Sequence, residues 1–375
     1  MTSPKFILRS ELSTLKPYNV GLSLEDAAEK AAGKPIAKLA SNENPYPMPE
    51  AIAEAMHHMI ASAFRYPDPQ GRVLAKSIAE FCGCDAEQVI LGNGSEDLLN
   101  ILARAILRPG DEVITLYPSF PLHEDYATMM GAHVTRIGLV DQKKIDVDAL
   151  VRAVARPVRL TVFANPMNPT GLWLTAGELE RVLVAQHPQS VLCIDEAYLE
   201  FASHEGNDRS YMPATERLRL HDKPLLVLRT FSKAYGLAGL RIGYGVTNNA
   251  SLRLGLDLVR TPFNANSVAQ AGAVAALRNP AAIEPALQQI VTQRQTLLAG
   301  LQAMGLSVLP SLGNFLFCST SQPSTEIAEK LICEGVIIKP WKQTGYENWL
   351  RVSVGLEQEN RQFLSALAGV LKRQA

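Results

Sequence analysis

A lysine, two hydroxyls and an arginine lie close together in this chain, as Thr230, Ser232, Lys233 and Arg241. They follow the apolar run Leu225-Leu226-Val227-Leu228, which reads as a fully buried strand. A lysine just past such a strand sits at the carboxyl edge of a sheet, where open α/β sheets bind ligands. Its amine can form a Schiff base with an aldehyde, and burial lowers its pKa so that the neutral nucleophile is present. Thr230, Ser232 and the guanidinium of Arg241 could hold a phosphate beside it. An aldehyde and a phosphate on one small molecule describe pyridoxal phosphate. Taken alone, the stretch reads equally well as an exposed lysine in a glycine loop.

Other residues carry the same double reading. Asp195 ends the apolar run Val191-Leu192-Cys193-Ile194. A desolvated carboxylate is costly unless it meets a cation. A pyridinium nitrogen would be one, and an ordinary helix N-cap is the alternative. Gly92-Asn93-Gly94-Ser95 passes from the brief strand Val89-Ile90-Leu91 into a helix with apolar residues Leu98, Leu99, Leu102 and Ile106. The free N–H groups and dipole of that helix start favour an anion, or simply a capped helix. Phe120, just past the strand Glu112–Leu116, could stack on a flat ligand or fill the core. Asn168 lies in Asn-Pro-Met-Asn-Pro-Thr-Gly, directly after the strand Leu160–Ala164, and could present its amide to a ligand oxygen. Arg351 alternates with Leu350 and Val352 in a C-terminal strand, so it points away from the apolar face. That suits a bidentate anion clamp, or an edge-strand arginine in water. Asn42 lies in turn chemistry, Tyr66 is held extended before Pro67, and Tyr18 follows Lys16-Pro17 as a packing residue or a phenol in reach of a ligand.

Positioning these groups requires strands that alternate with helices. The pattern predicts an α/β protein with a mainly parallel sheet. Residues 1–40 read as an N-terminal arm with a helix over Ser23–Ala32, 41–280 as a large ligand-binding domain, and 281–375 as a smaller C-terminal α/β domain. Helices are expected over Pro49–Phe64, Arg72–Phe81, Ser267–Leu277, Ala282–Ala303 and Thr325–Glu334. The 36 basic and 37 acidic residues leave a net charge of −1 without long runs of one sign, which argues against nucleic acid or an anionic membrane as partner. Five scattered cysteines and a start without an apolar leader predict reduced thiols in a cytoplasmic protein. The seven histidines have no metal-ligand spacing, and His57-His58 reads as a solvated pair.

The order of these motifs resembles the fold-type I pyridoxal-phosphate aminotransferases, and within them most of all the histidinol-phosphate aminotransferase family. Asn-Pro-Met-Asn-Pro-Thr-Gly, Asp-Glu-Ala-Tyr, Ser-Lys with an arginine eight residues on, and Leu-Arg-Val-Ser-Val-Gly occur in series. Ser-Asn-Glu-Asn-Pro, Arg-Tyr-Pro-Asp-Pro and Gly-Asn-Gly-Ser extend the likeness over nearly the whole chain. The resemblance implies pyridoxal phosphate held covalently by Lys233, which also moves the α-proton. It implies Asp195 at the pyridinium nitrogen, Asn168 and Tyr198 at the ring hydroxyl, and Phe120 against the ring. Gly94, Ser95, Glu96, Thr230, Ser232 and Arg241 would surround the phosphate. Tyr66 would reach the cofactor of the other subunit of a homodimer. Tyr18, Asn42, Lys339 and Arg351 would meet an amino donor and 2-oxoglutarate. Lys339 stands where the family usually has arginine, and Met167 where asparagine is common. An aromatic amino acid is therefore the alternative to histidinol phosphate as donor. Decarboxylation of a phosphorylated amino acid is a further alternative on the same fold.

Overall fold

The structure, a computed structural model, describes residues 9–17, 21–22, 24–204 and 210–372. An eight-stranded sheet runs in the order Val89–Gly92, Gly243–Thr247, Leu225–Thr230, Val191–Asp195, Leu160–Ala164, Glu112–Tyr117, His133–Val140 and Lys144–Ile145. From Leu225–Thr230 to His133–Val140 every pairing is parallel, and only the pairings outside those strands are antiparallel. Every residue of Leu160–Ala164 and Leu225–Thr230 is buried. That accounts for their largely apolar rather than alternating sequences, because helices cover both faces of a parallel sheet.

The parallel strands end together. Ala164 is in register with Asp195, and Asp195 with Leu228. The segments carrying Asn168, Asp195 and Lys233 therefore all leave the sheet at one edge. The strand Gly243–Thr247 was not legible as an apolar run, yet it lies antiparallel between Val89–Gly92 and Leu225–Thr230. Its glycines explain both facts. A Cβ on Gly243 would stand 2.5 Å from the Ser95 backbone nitrogen, and one on Gly245 would crowd Leu226 and Ile90.

A second sheet runs Ala37–Leu39, Val336–Pro340, Trp349–Ser353, Phe315–Ser319, Ser307–Val308. Its first pairing is parallel and the rest are antiparallel. Ala37–Leu39 thus carries the early segment to the C-terminal sheet and delivers Asn42 beside Ser353. Expected helices appear with shifted ends: Leu24–Ala31, Glu50–Ile60, Arg72–Cys82, Ser267–Arg278, Glu284–Ala303 and Ser324–Ile332. The second stops at Ile60, short of Phe64, and the chain continues in turns that leave Phe64 and Tyr66 exposed. His57 and His58 are exposed, and the five cysteines are unpaired. Among the described residues no helix is long and apolar enough to cross a membrane, and no cluster of side chains could hold a metal ion.

Candidate active site

A cavity of about 1000 Å³ opens at the carboxyl edge of the parallel strands, between them and the second sheet. Lys233 projects into it, and its Nζ donates to the Ser41 carbonyl at 2.9 Å. Desolvation lowers the ammonium pKa to about 8; Arg351 and Arg241 push the same way, against Glu43 and Asp195. An amine in that range has a far larger neutral fraction near physiological pH than an ordinary lysine. Asp195 lies buried on the cavity wall. Its Oδ1 accepts from the Ala197 N–H at 3.0 Å, and its Oδ2 is 3.3 Å from Nε2 of buried His123.

One end of the cavity is built for an anion. The helix Ser95–Ile106 starts from Gly94, whose φ of +86° and ψ of 165° suit glycine almost alone. The Arg241 guanidinium packs where a Gly94 Cβ would be, 2.4 Å from Nη2. Ser95 lines the cavity at the helix start, and the Thr230 and Ser232 hydroxyls, hydrogen-bonded to each other at 2.9 Å, stand nearby. Glu96 lies 3.6 Å from Arg241 and accepts a hydrogen bond from Tyr126.

The other cationic group comes from the second sheet. Lys339 and Arg351 are directly opposite across an antiparallel pair, so both project from one face. Arg351 is buried. Its Nη1 donates to Asn168 Oδ1 at 2.6 Å and its Nη2 to the Ala40 carbonyl at 2.5 Å. The Phe315 and Trp341 rings lie 5.6 and 6.0 Å from the guanidinium carbon. Because Asn168 Oδ1 takes Arg351, its Nδ2 is the end left to donate elsewhere. Desolvation, then Arg351 and Lys342, lowers Lys339 to about 8. The Tyr198 hydroxyl accepts from Asn42 Nδ2 at 2.9 Å, and Ser353 Oγ in turn donates to Asn42 Oδ1.

Of the candidate cofactor- and substrate-binding residues named from sequence, all but three line this one cavity. Gly94 lies behind Arg241, as described. Tyr66 is 83% exposed and stacks on Phe263 at 4.6 Å, away from the cavity. Tyr18 lies outside the described residues. His123 escaped sequence reading. Its signal was its place three residues after Phe120, which puts both in one turn. The rings meet edge to face at 5.6 Å. Gln343 was also missed; its Oε1 accepts from the Ser119 N–H and from Trp341 Nε1, tying the loop after Pro340 to the large sheet's edge.

The donor set fits pyridoxal phosphate. A lysine whose ammonium is destabilised by burial for the aldehyde, a buried carboxylate for a protonated ring nitrogen, and an anion cradle in which glycine makes room for Arg241 all open on the same space.

Residues 34–367 match the family model of class I and II aminotransferases. The chain is 48% identical to histidinol-phosphate aminotransferase 1 of Mesorhizobium japonicum over 372 residues, covering 99% of this chain and 100% of the relative. It is 44% identical to histidinol-phosphate aminotransferase 3 of Rhizobium meliloti, covering 99% of both. Among solved structures it resembles histidinol-phosphate aminotransferase from Sinorhizobium meliloti in complex with pyridoxal-5′-phosphate. The TM-score is 0.89 at 26% identity, over the whole of both chains.

Proposed function

The chain belongs to the class I and II aminotransferases, in the histidinol-phosphate aminotransferase family, and from that premise we propose that it moves the amino group of L-histidinol phosphate to 2-oxoglutarate. The products are imidazole acetol phosphate and glutamate, and the cofactor is pyridoxal 5′-phosphate. The observation that carries this reading is the convergence of Lys233, Asp195 and two separate cationic ends on one cavity.

When bound, pyridoxal phosphate supplies the aldehyde that takes the amino group and the ring that accepts an electron pair. The protein does the rest. Lys233 Nζ, lowered to about 8, is the nucleophile that holds the cofactor and then carries the proton from the donor's α-carbon. Asp195 fixes a negative charge at the wall, where it favours a protonated ring nitrogen; His123 holds its Oδ2 in place. A carboxylate placed there would stabilise the transition state more than the ground state, so it would accelerate the reaction rather than merely bind. Asn168 Nδ2 and the Tyr198 hydroxyl orient the ring oxygen, each set by its own partner, Arg351 and Asn42. Arg241, Ser95, Thr230 and Ser232 hold the cofactor phosphate. Arg351 and Lys339 bind the substrate's anionic group, phosphate in one half-reaction and carboxylate in the other.

The active unit is a homodimer in this reading, with Tyr66 reaching the partner's site. Its support is a tyrosine held outside its own cavity at 83% exposure. A half-reaction spectrum tests the donor. The yellow holoenzyme is mixed with histidinol phosphate, phenylalanine or threonine phosphate, without keto acid. Fast loss of colour with histidinol phosphate is expected. Faster loss with phenylalanine would replace this reading with an aromatic aminotransferase.

A further inference from the structure

The cavity has a region that none of the roles above uses. Its wall comes from the N-terminal arm and from the helix Leu122–Met129, which Arg9 Nη2 links to the arm by donating to the Met129 carbonyl at 2.6 Å. Leu12 and Leu15 of the arm and Leu122 and Met129 of the helix make this wall apolar. Asp125 lines the same cavity. The spacing 122, 125, 129 puts Asp125 on the helix face that carries the two apolar residues, so a carboxylate sits in the middle of an apolar stripe.

Its neighbour Glu124 behaves differently. That carboxylate is buried, bound by Arg136 at 2.6 and 2.9 Å, and accepts from Ser119 Oγ at 2.8 Å. It is engaged inside the protein. The Asp125 carboxylate makes no hydrogen bond or ion pair among the described residues, and burial together with the Glu124 charge pushes its pKa up. A partly desolvated carboxylate without a partner costs stability that an apolar residue in the same wall would not. A ligand that enters the cavity can bring it one.

We propose that Asp125 is a specificity-determining residue that accepts an N–H from the ring of the amino donor, so that the site selects a side chain ending in a nitrogen heterocycle such as imidazole over a hydrocarbon ring. The inference deepens the function proposed above and rests on it for the place of the amino group at Lys233 and of the anion at Arg351. With those two ends fixed, the arm-side wall is the part of the cavity left for the side chain. A carboxylate in an apolar surround discriminates well there. A hydrocarbon ring would bury it unpaired, whereas an imidazole N–H satisfies it.

The test compares donors that share an α-carbon and differ in the ring. Holoenzyme is assayed with histidinol phosphate, L-histidine and L-phenylalanine, as wild type and as Asp125→Leu and Asp125→Asn. Bound-cofactor absorbance checks each variant's fold. The expected result is that Asp125→Leu lowers kcat/KM for both imidazole donors roughly tenfold to a hundredfold, while phenylalanine is unchanged or improved. Asp125→Asn, which keeps an acceptor oxygen, should lose less and covers the case in which the leucine variant does not fold. An imidazole-to-phenyl ratio unchanged in the variants overturns the inference. If wild type rejects histidinol phosphate but prefers histidine to phenylalanine in an Asp125-dependent way, the inference stands and the proposed substrate falls. If wild type prefers phenylalanine to both imidazole donors, both fall.

Discussion

Gly94→Ala separates the cofactor phosphate site from the rest of the protein. Two costs follow from the structure. The backbone at Gly94, with φ +86° and ψ 165°, is a conformation that costs a residue with a Cβ about 1–3 kcal/mol. The added Cβ would also stand 2.4 Å from Arg241 Nη2 and 3.0 Å from its Cζ, too close to coexist. The guanidinium is the far end of a flexible and partly exposed chain, held by contacts of 3.3 Å to the Asn93 carbonyl and 3.6 Å to Glu96. It therefore swings away, which spares the fold and empties the anion cradle of its main cation. Losing one charge-assisted contact weakens binding by about 1.5–3 kcal/mol, or roughly tenfold to a hundredfold. The assay is titration of the apoenzyme with pyridoxal phosphate and, separately, with pyridoxal, which has no phosphate. The pyridoxal phosphate affinity should fall by that factor while pyridoxal binding holds. Equal loss for both ligands, or no loss for either, would refute the assignment of Gly94 and Arg241 to the phosphate.

Three further outcomes are expected. The rate at which apoenzyme captures pyridoxal phosphate should rise with pH to a midpoint near 8, because only the neutral Lys233 amine attacks and its pKa is lowered to about 8; a midpoint near the usual lysine value, about 10.4, contradicts the site's electrostatics. KM for 2-oxoglutarate should climb above pH 8 as Lys339, also lowered to about 8, loses its charge, and Lys339→Arg should remove that alkaline rise; a rise that persists in the variant would exonerate Lys339. Tyr66→Ala should leave secondary structure intact, and mixing it with inactive Lys233→Ala should recover part of the activity, since a mixed dimer contains one site with both wild-type groups; no recovery after subunit exchange counts against a tyrosine shared across subunits.

The parts of the site legible in sequence share one property. Lys233, Asp195 and Asn168 each come soon after a largely apolar run, and Arg351 interrupts a strand pattern, so local sequence marks where each leaves the sheet. The parts that were not legible depend on contacts between distant segments. His123 is read as a surface or core histidine until the fold brings it to Asp195, 72 residues away. Gln343 meets Ser119 across 224 residues. The strand Gly243–Thr247 carries no apolar run because its glycines are needed where two chains pass closely, and a pattern reading sees only turn residues there. Asp125 and Glu124 are adjacent acids in different surroundings, and nothing in their order says which one is engaged.

Arg351 ties the substrate end of the cavity to the cofactor end. One guanidinium arm holds Asn168 Oδ1 and the other the Ala40 carbonyl, so the group proposed to meet the substrate anion also sets the amide proposed to face the cofactor ring. A lysine in that place keeps the charge but cannot span both acceptors and a ligand with fixed geometry. Lys339, opposite it in register, adds a second positive charge to the same face of the sheet. The two positions are thus unequal in what they demand. At 351 the protein's own hydrogen bonds call for a planar fork, while the charge at 339 depends on pH because burial lowers its pKa to about 8. A lysine at 339 is therefore expected to make anion binding more dependent on pH than an arginine would.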